Sequence, residues 1–104
     1  MIDLLKVDGF DWDAGNARKS EDKHGVSQIE VEQIFFNTPL VVASDVRHSQ
    51  NEPRVHALGK TNEGRLLHIT FTLRFDGTKI RPISARGMHR KERQVYEKAA
   101  QTNP

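Results

Sequence analysis

The sequence predicts an α+β fold, in which an antiparallel sheet of about four strands is combined with two N-terminal helices and one C-terminal helix. Two observations support this prediction. Segments with a helical spacing of apolar residues lie towards both ends of the chain, and alternating apolar and polar residues lie between them. Because helices and strands come in separate blocks, we expect helices to cover one sheet face and to leave the other open.

Length and composition limit the chain to one small domain. Its 104 residues allow one modest core, so a single domain is expected over residues 1–104. The apolar fraction of 36% and the charged fraction of 29% indicate a thin core under a large solvated or ligand-binding surface. No apolar run approaches ~18 residues, and the N-terminus lacks a signal-peptide core, which predicts a soluble cytoplasmic protein of bacterial type. The absence of cysteine excludes disulfides, Cys-ligated zinc and Cys nucleophiles.

The net charge of +2 conceals an asymmetry between the two halves of the chain. Residues 1–52 hold five Lys or Arg and ten Asp or Glu, a balance of −5. Residues 53–104 hold eleven Lys or Arg and four Asp or Glu, a balance of +7. A basic half of this size is expected for a phosphate-backbone partner, although a solvated basic surface gives the same count.

The N-terminal region is expected to contain a short strand or extended segment and then a helix. The extended segment is Leu4–Phe10. The polar stretch Asp13–Lys23 fits a solvent-exposed helix, with Asp13 as its N-cap and Gly25 just beyond its end.

A second helix is expected over Ser27–Phe36. Ser27 and Glu30 have the spacing of a capping box, and Pro39 cannot continue the helix. Three apolar residues share one face of it: Val31, Ile34 and Phe35.

Four strands are expected next, and their predicted bounds are Leu40–Ala43, Arg54–Lys60, Arg65–Leu73 and Lys79–Ala85. Ser44–Pro53 is expected to be a polar loop and residues 61–64 a turn, while Asp76-Gly77 is a strong hairpin signal. The third strand has the clearest pattern. One face of it carries Leu67, Ile69, Phe71 and Leu73, and the other carries His68, Thr70, Thr72 and Arg74.

The chain is expected to close with a helix over Met88–Ala100. Its apolar stripe consists of Met88, Val95, Tyr96 and Ala99. Glu92 falls within this stripe, and an unpaired carboxylate on a packed face is costly. We therefore expect an Arg from the sheet to pair with Glu92.

Four groups of short motifs run through the chain in a fixed order. They are Phe10-Asp11-Trp12-Asp13 with Lys23-His24-Gly25-Val26, Glu52-Pro53-Arg54 with Gly59, Leu66-Leu67 with Phe71-Thr72 and Arg74, and Ile80-Arg81-Pro82-Ile83-Ser84-Ala85-Arg86 with Glu92-Arg93 and Tyr96. In order and spacing these motifs resemble those of the BrnT family of bacterial toxins. The matches cover most of the chain, from Phe10 to Tyr96.

The resemblance implies a RelE-like fold and a ribonuclease that inhibits translation, acting on mRNA, with no cofactor. It also implies a partner, a BrnA-like antitoxin with a ribbon-helix-helix domain, through which the complex reaches operator DNA. The chain departs from the family where the family usually has Lys and Asn, because it has Asn16 and Ser20 there. These departures keep open a degenerate toxin that cleaves poorly. A second alternative, independent of them, is a nucleic-acid-binding or antitoxin-binding co-repressor without catalysis. Pro82 is also unusual within a strand and indicates an edge strand or a local break.

RNA cleavage without a metal needs a base, an acid and cations that stabilise the phosphoryl oxygens. Arg81 and Arg86 are the candidate phosphate clamps, because a guanidinium matches phosphate geometry and stays charged. Positions 81 and 86 face opposite ways in a regular strand, so both serve one site only if the strand bends or ends between them. Otherwise one of them pairs with Glu92 in a structural role.

The remaining catalytic candidates each have a structural alternative. His24 and Lys23 are candidates for acid–base chemistry, but cations at the end of a helix also complement its dipole. Glu52 is a candidate for the site, or a surface partner of Arg54.

Candidate RNA-binding residues complete the expected site. They are Arg54, Arg74 and Trp12, the last by stacking on a base, although packing is the commoner role of a Trp beside Phe10. Tyr96 is expected to lie in the core. The histidines lack metal-ligand spacing, so no metal site is expected.

Overall fold

The structure is a computed structural model that describes residues 4–45 and 52–102. Leu4–Lys6 forms one turn of 3-10 helix. The strands are β1 (Gly9–Phe10), β2 (Val41–Asp45), β3 (Arg54–Lys60), β4 (Leu66–Arg74) and β5 (Lys79–Gly87). The helices are α1 (Lys19–His24), α2 (Gln28–Ile34) and α3 (Arg90–Thr102).

One mixed sheet of five strands organises the described residues, in the order β1-β5-β4-β3-β2. The α+β class is confirmed, as are two N-terminal helices and one C-terminal helix. The prediction of about four strands, all antiparallel, is wrong, because β1 adds a fifth strand that runs parallel to β5. Gly9 and Phe10 form all of β1. A strand of two residues has no alternation to detect, and its partner lies about 70 residues further along the chain.

The N-terminal predictions need two corrections. Only the end of the predicted Leu4–Phe10 strand is extended, since it begins with the 3-10 turn. The first helix starts at Lys19, not near Asp13: residues 14–18 form turns, in which Asp13 accepts hydrogen bonds from the amides of Gly15 and Ala17, and Arg18 is the N-cap position of α1. Gly25 does end α1, with a φ of 65° that favours glycine.

Helix α2 is built as its sequence predicts. The Ser27 side chain accepts a hydrogen bond from the Glu30 amide, and the Glu30 carboxylate accepts one from the Ser27 amide, which completes the capping box. Val31 and Ile34 are fully buried against the sheet, and Phe35 packs beside them. The helix ends at Ile34, two residues before its predicted end at Phe36 and five residues before Pro39.

The alternation predicted for the third strand is confirmed in β4. Leu67, Ile69 and Phe71 are 0% exposed in the main core, with Leu73 packed against it. Strand β3 has the predicted bounds, and the Asp76-Gly77 turn joins β4 to β5. The predicted loop Ser44–Pro53 is partly wrong, since β2 extends to Asp45; residues 46–51 of that prediction lie outside the described residues.

Helix α3 packs on the second face of the sheet, which is therefore less open than expected. Met88 and Tyr96 form a small cluster with Leu58, and the Tyr96 hydroxyl donates a hydrogen bond of 2.8 Å to the Pro39 carbonyl. Tyr96 is thus a core residue, as predicted, and burial raises the pKa of its hydroxyl. Val95 was wrongly placed in the apolar stripe, because it is 54% exposed.

Pro82 marks a local break, as the sequence indicates. Strand β5 is locally an edge there, because β1 pairs only with Lys79 and Ile80, and its register with β4 shifts beside Phe71, which pairs with Pro82. The Pro82 carbonyl faces the side of β5 away from β4, where it accepts a hydrogen bond from Asn16. Because the N–H and C=O of a strand residue point the same way, the missing N–H of Pro82 falls outside the β4–β5 ladder. Among the residues that the structure describes, no helix is both long and apolar enough to cross a bilayer.

Candidate active site

The register shift in β5 decides how the two candidate phosphate clamps lie. Arg81 pairs with Thr72 and Arg86 pairs with His68 across the β4–β5 ladder. Thr72 and His68 are four residues apart on β4 and share one face, so their partners share it too. One extra residue in β5 between the two pairs cancels the odd spacing of 81 and 86. Both arginines therefore belong to the polar face of the sheet, which we define as the face of β3–β5 that carries His56 and His68.

Arg86 is held by Glu92 of α3. Its Nη1 and Nη2 atoms lie 2.8 Å and 2.9 Å from the two Glu92 carboxylate oxygens, a bidentate pair. The Glu92 carboxylate also accepts a hydrogen bond from the His89 amide at the start of α3. The hydrogen bond from Arg86 lowers the pKa of Glu92 to about 2, although partial burial of the carboxylate opposes this shift. The sheet arginine expected beside Glu92 is thus Arg86, and this pair connects α3 to the polar face.

Arg81 is held by two carboxylates from the segment after β1. Its Nη1 atom lies 3.2 Å from Asp11 and 2.9 Å from Asp13. The hydrogen bond from Arg81 lowers the pKa of Asp13 and raises the pKa of Arg81 itself. The Arg81 side chain is 18% exposed and that of Asp13 55%, so this pair borders on solvent.

Glu52 and Arg74 form a third ion pair, at the far end of β4. The Arg74 Nη2 atom lies 2.8 Å from Glu52, and about two fifths of each side chain is exposed. The structure therefore gives Glu52 an arginine partner on the sheet. Arg54, the neighbour weighed from sequence, begins β3 and is exposed.

The sequence candidates His24 and Lys23 lie apart from this arrangement. Both are exposed in the last turn of α1, where cations complement the helix dipole. The His24 carbonyl is 3.5 Å from Arg65 Nη2. Within the described residues, neither side chain forms a hydrogen bond or ion pair with Arg81 or Arg86.

Trp12 is partly buried and packs against the main core. Its indole Nε1 donates a hydrogen bond of 2.7 Å to Glu32 of α2. These contacts agree with the packing alternative of the sequence analysis, and base stacking by Trp12 stays a prediction.

Two histidines that the sequence did not bring together meet on the polar face. The rings of His56 on β3 and His68 on β4 have centroids 4.9 Å apart. His56 Nε2 lies 2.8 Å from an Asp45 carboxylate oxygen, and its Nδ1 lies 3.0 Å from the Thr70 hydroxyl. Alternation predicts the face of each residue, but their contact depends on the pairing register of β3 with β4, which no local signal fixes.

His68 connects this histidine pair to Arg86. Its Nε2 lies 3.9 Å from Glu92, and its buried Nδ1 has no hydrogen-bond partner among the described residues. Burial first, and then the positive charge of Arg86, lower the pKa of His68 to about 4, although Glu92 opposes the shift. His68 is therefore neutral near pH 7. No group of three or more metal-ligating side chains occurs in the part of the chain that the structure describes.

Comparison with protein families identifies the chain. The sequence model of the family described as "Ribonuclease toxin, BrnT, of type II toxin-antitoxin system" matches residues 12–92. The chain belongs to the BrnT family. Members are ribonuclease toxins, and the type II system implies an antitoxin partner. No curated protein matches the sequence significantly.

The two departures from the BrnT pattern have structural roles. The Asn16 side chain is 8% exposed and donates hydrogen bonds to the carbonyls of Asp11 and Pro82. The Ser20 hydroxyl accepts a hydrogen bond of 2.8 Å from the Ala85 amide. Both residues therefore form hydrogen bonds with backbone groups of β5 beyond the point where the short β1 strand ends.

Part of the charge asymmetry between the halves of this BrnT chain is neutralised by ion pairs within the molecule. Acidic residues of the first half pair with basic residues of the second in several places. These pairs are Asp8–Lys79, Asp11–Arg81, Asp13–Arg81, Glu30–Arg65 and Glu52–Arg74. The balance of +7 thus overstates the basic surface that an RNA backbone would meet.

Proposed function

We propose that this BrnT toxin is an endoribonuclease that cleaves RNA without a metal ion, on the polar face of its sheet, and thereby inhibits translation. The observation that supports this proposal is the register shift that places Arg81 and Arg86 on one face. Their partners on β4 are four residues apart, which corresponds to about 13 Å along the strand. That separation allows both arginines to contact different parts of one extended RNA segment.

The proposed task of the two arginines is to stabilise phosphoryl charge. A guanidinium has five N–H donors, so Arg86 keeps donors for a phosphate while Glu92 holds it in place. Arg81 binds RNA by exchanging a contact with the exposed Asp13 for one with a phosphate. Arg74 and Arg54 extend the proposed path along the same face towards the ends of β4 and β3.

The finer features of the system are proposed from the resemblance. They are a RelE-like fold, a cytoplasmic location, mRNA as substrate, and a BrnA-like ribbon-helix-helix antitoxin through which the complex binds operator DNA. The degenerate alternative was based on Asn16 and Ser20, whose hydrogen bonds at the edge of β5 give both residues a structural role. The cleavage test below separates an active ribonuclease from a degenerate toxin and from a co-repressor without catalysis.

The test is cleavage of end-labelled RNA by the full chain in excess EDTA, with free RNA and in a translating extract. We expect products that end in a 2′,3′-cyclic phosphate and a 5′-hydroxyl, because the 2′-hydroxyl is the proposed nucleophile. Absence of cleavage by the folded native chain under both conditions would overturn the proposed function.

The role of Arg86 is tested in a background that does not leave Glu92 unpaired. The double variant Arg86→Met/Glu92→Gln removes both charges, and we expect cleavage to slow by about 100-fold or more relative to Glu92→Gln alone. Arg81→Met is the parallel variant for the second clamp. Lys98→Gln, an exposed change in the last turns of α3, is the charge-matched control and should cleave like the native chain.

A further inference from the structure

The strongest unassigned feature of the molecule is a row of polar side chains across β2, β3 and β4. It begins at Asp45, passes through the rings of His56 and His68, and reaches the Glu92–Arg86 pair. Ion pairs and polar groups that are partly buried contribute little net stability compared with apolar residues of similar size. In a chain with so small a core, two adjacent imidazoles near Arg86, a proposed phosphate clamp, indicate catalysis rather than packing.

We propose that His56 is the proton-transferring residue of RNA cleavage and that Asp45 positions it, an inference that rests on the proposed ribonuclease function. Asp45 is 2.8 Å from His56 Nε2, so this nitrogen carries the proton that is donated to the carboxylate. In the neutral ring, Nδ1 is then the basic nitrogen. It lies 3.0 Å from the Thr70 hydroxyl, within the distance at which an imidazole accepts a proton.

The position of His56 suits contact with a substrate. Its side chain is 33% exposed, whereas those of Asp45 and His68 are each 12% exposed. Asp45 and Thr70 hold the ring from its two nitrogens, which fixes its tautomer and its orientation before RNA binds. A ring that is oriented in advance loses little entropy in the reaction.

The proton balance of the step closes with His56 alone. His56 Nδ1 takes the proton of the ribose 2′-hydroxyl, which replaces the Thr70 hydroxyl as the hydrogen-bond partner of this nitrogen. The 2′-oxygen forms a bond to phosphorus as the bond from phosphorus to the 5′-oxygen breaks. The protonated His56 then returns the proton to the leaving 5′-oxygen, and Arg86 stabilises the charge on the phosphoryl oxygens.

His68 has the complementary role of a neutral neighbour. A second protonated ring with its centroid 4.9 Å away would repel the charge that His56 acquires during the step. Burial keeps His68 neutral, with a pKa of about 4. The charged or titratable groups that face the pair are Asp45 from β2, Arg86 from β5, Glu92 from α3 and His89 just before α3. His56 and His68 face each other from β3 and β4.

The test compares single-turnover cleavage of a labelled RNA oligonucleotide by the full chain and its variants, from pH 5 to 9. His56→Gln is expected to slow cleavage by about 10²- to 10⁴-fold. Asp45→Asn is expected to slow it less, without weakening RNA binding, because the ring keeps its contact with Thr70 but loses the carboxylate that fixes its tautomer. Glu63→Gln, an exposed change in the turn between β3 and β4 and outside the row, is the control and should retain the native rate.

Two further measurements separate a chemical role from a structural one. Thermal melting and RNA binding show whether each variant is folded. Exogenous imidazole should restore part of the cleavage of His56→Ala, because an imidazole can enter the space that this partly exposed ring leaves.

The outcomes distinguish this inference from the proposed function. If the native chain and folded His56→Gln cleave at equal rates, or if imidazole does not restore the cleavage of folded His56→Ala, His56 is not the proton-transferring residue. A native cleavage rate in folded Asp45→Asn, or a loss of rate that only follows weaker RNA binding, removes the positioning role of Asp45. Absence of cleavage by the native chain overturns the proposed function itself and this inference with it.

Discussion

The two faces of strand β4 are both largely buried, yet they are stabilised in different ways. Leu67, Ile69 and Phe71 are 0% exposed among other apolar side chains, where every buried carbon contributes in proportion to its area. Thr70 and Thr72 on the opposite face are 7% and 1% exposed, and each depends on a hydrogen-bond partner. The apolar face therefore supplies folding energy, whereas the polar face gives a fixed arrangement of donors, acceptors and charges that chemistry requires.

The largest expected difference between the faces is in the free energy of unfolding that a buried substitution removes. Phe71→Ala should lower the free energy of unfolding by about 3–5 kcal/mol, because it leaves a cavity in the main core. Thr72→Val on the other face removes the 2.7 Å hydrogen bond to the Pro53 carbonyl and should cost about 1–2 kcal/mol. Urea unfolding of both variants measures this, and equal costs would contradict the comparison.

The next effect is a pH dependence confined to the polar face. The folded chain holds the pKa of His68 at about 4, below its ordinary value of 6.5. The unfolded chain therefore binds more protons between these values, so stability falls as pH drops from 6.5 towards 4. The loss should be on the order of 2–3 kcal/mol. His68→Gln should remove this part of the pH dependence in urea unfolding, and a native–variant difference that stays constant over the range would argue against it.

The smallest effect compares two ion pairs that differ in exposure. Glu92 and Arg86 are each about a quarter exposed, whereas Asp8, which pairs with Lys79, is 64% exposed. Glu92→Gln should cost about 1–2 kcal/mol, because Arg86 then keeps a partly buried charge without its carboxylate. Asp8→Asn should change stability by about 0.5 kcal/mol or less, since solvent already screens that pair. Equal effects in thermal melting would show that burial does not control the strength of these pairs.

The ion pairs also show what a charge count misses. From sequence, the basic second half of the chain indicated a surface for a phosphate backbone. In the structure, Arg65, Arg74 and Arg81 are each occupied by a carboxylate from the first half. A polyanion must compete with these carboxylates, so RNA binding depends on a few arginines that keep free donors rather than on the total charge.

The sequence by itself determined the features that depend on neighbouring residues. The capping box of α2, the left-handed Gly25, the alternation of β4 and the Asp76-Gly77 turn all follow from local patterns. The family was also identifiable from sequence, because its motifs are spread in order over most of the chain. The kind of partner that Glu92 needs was also predictable, because a carboxylate on a packed helix face requires a cation. That partner is Arg86.

Only the tertiary structure decided which distant residues meet. The two residues of β1 form a strand only beside β5, and the ion pairs of Arg81 with Asp11 and Asp13 join the segment after β1 to the sheet. The shift that brings Arg81 and Arg86 to one face, and the register that brings His56 to His68, are properties of strand pairs. Alternation within one strand fixes the face of a side chain but not its neighbour across the ladder, because pairing register is set by contacts made along both strands together.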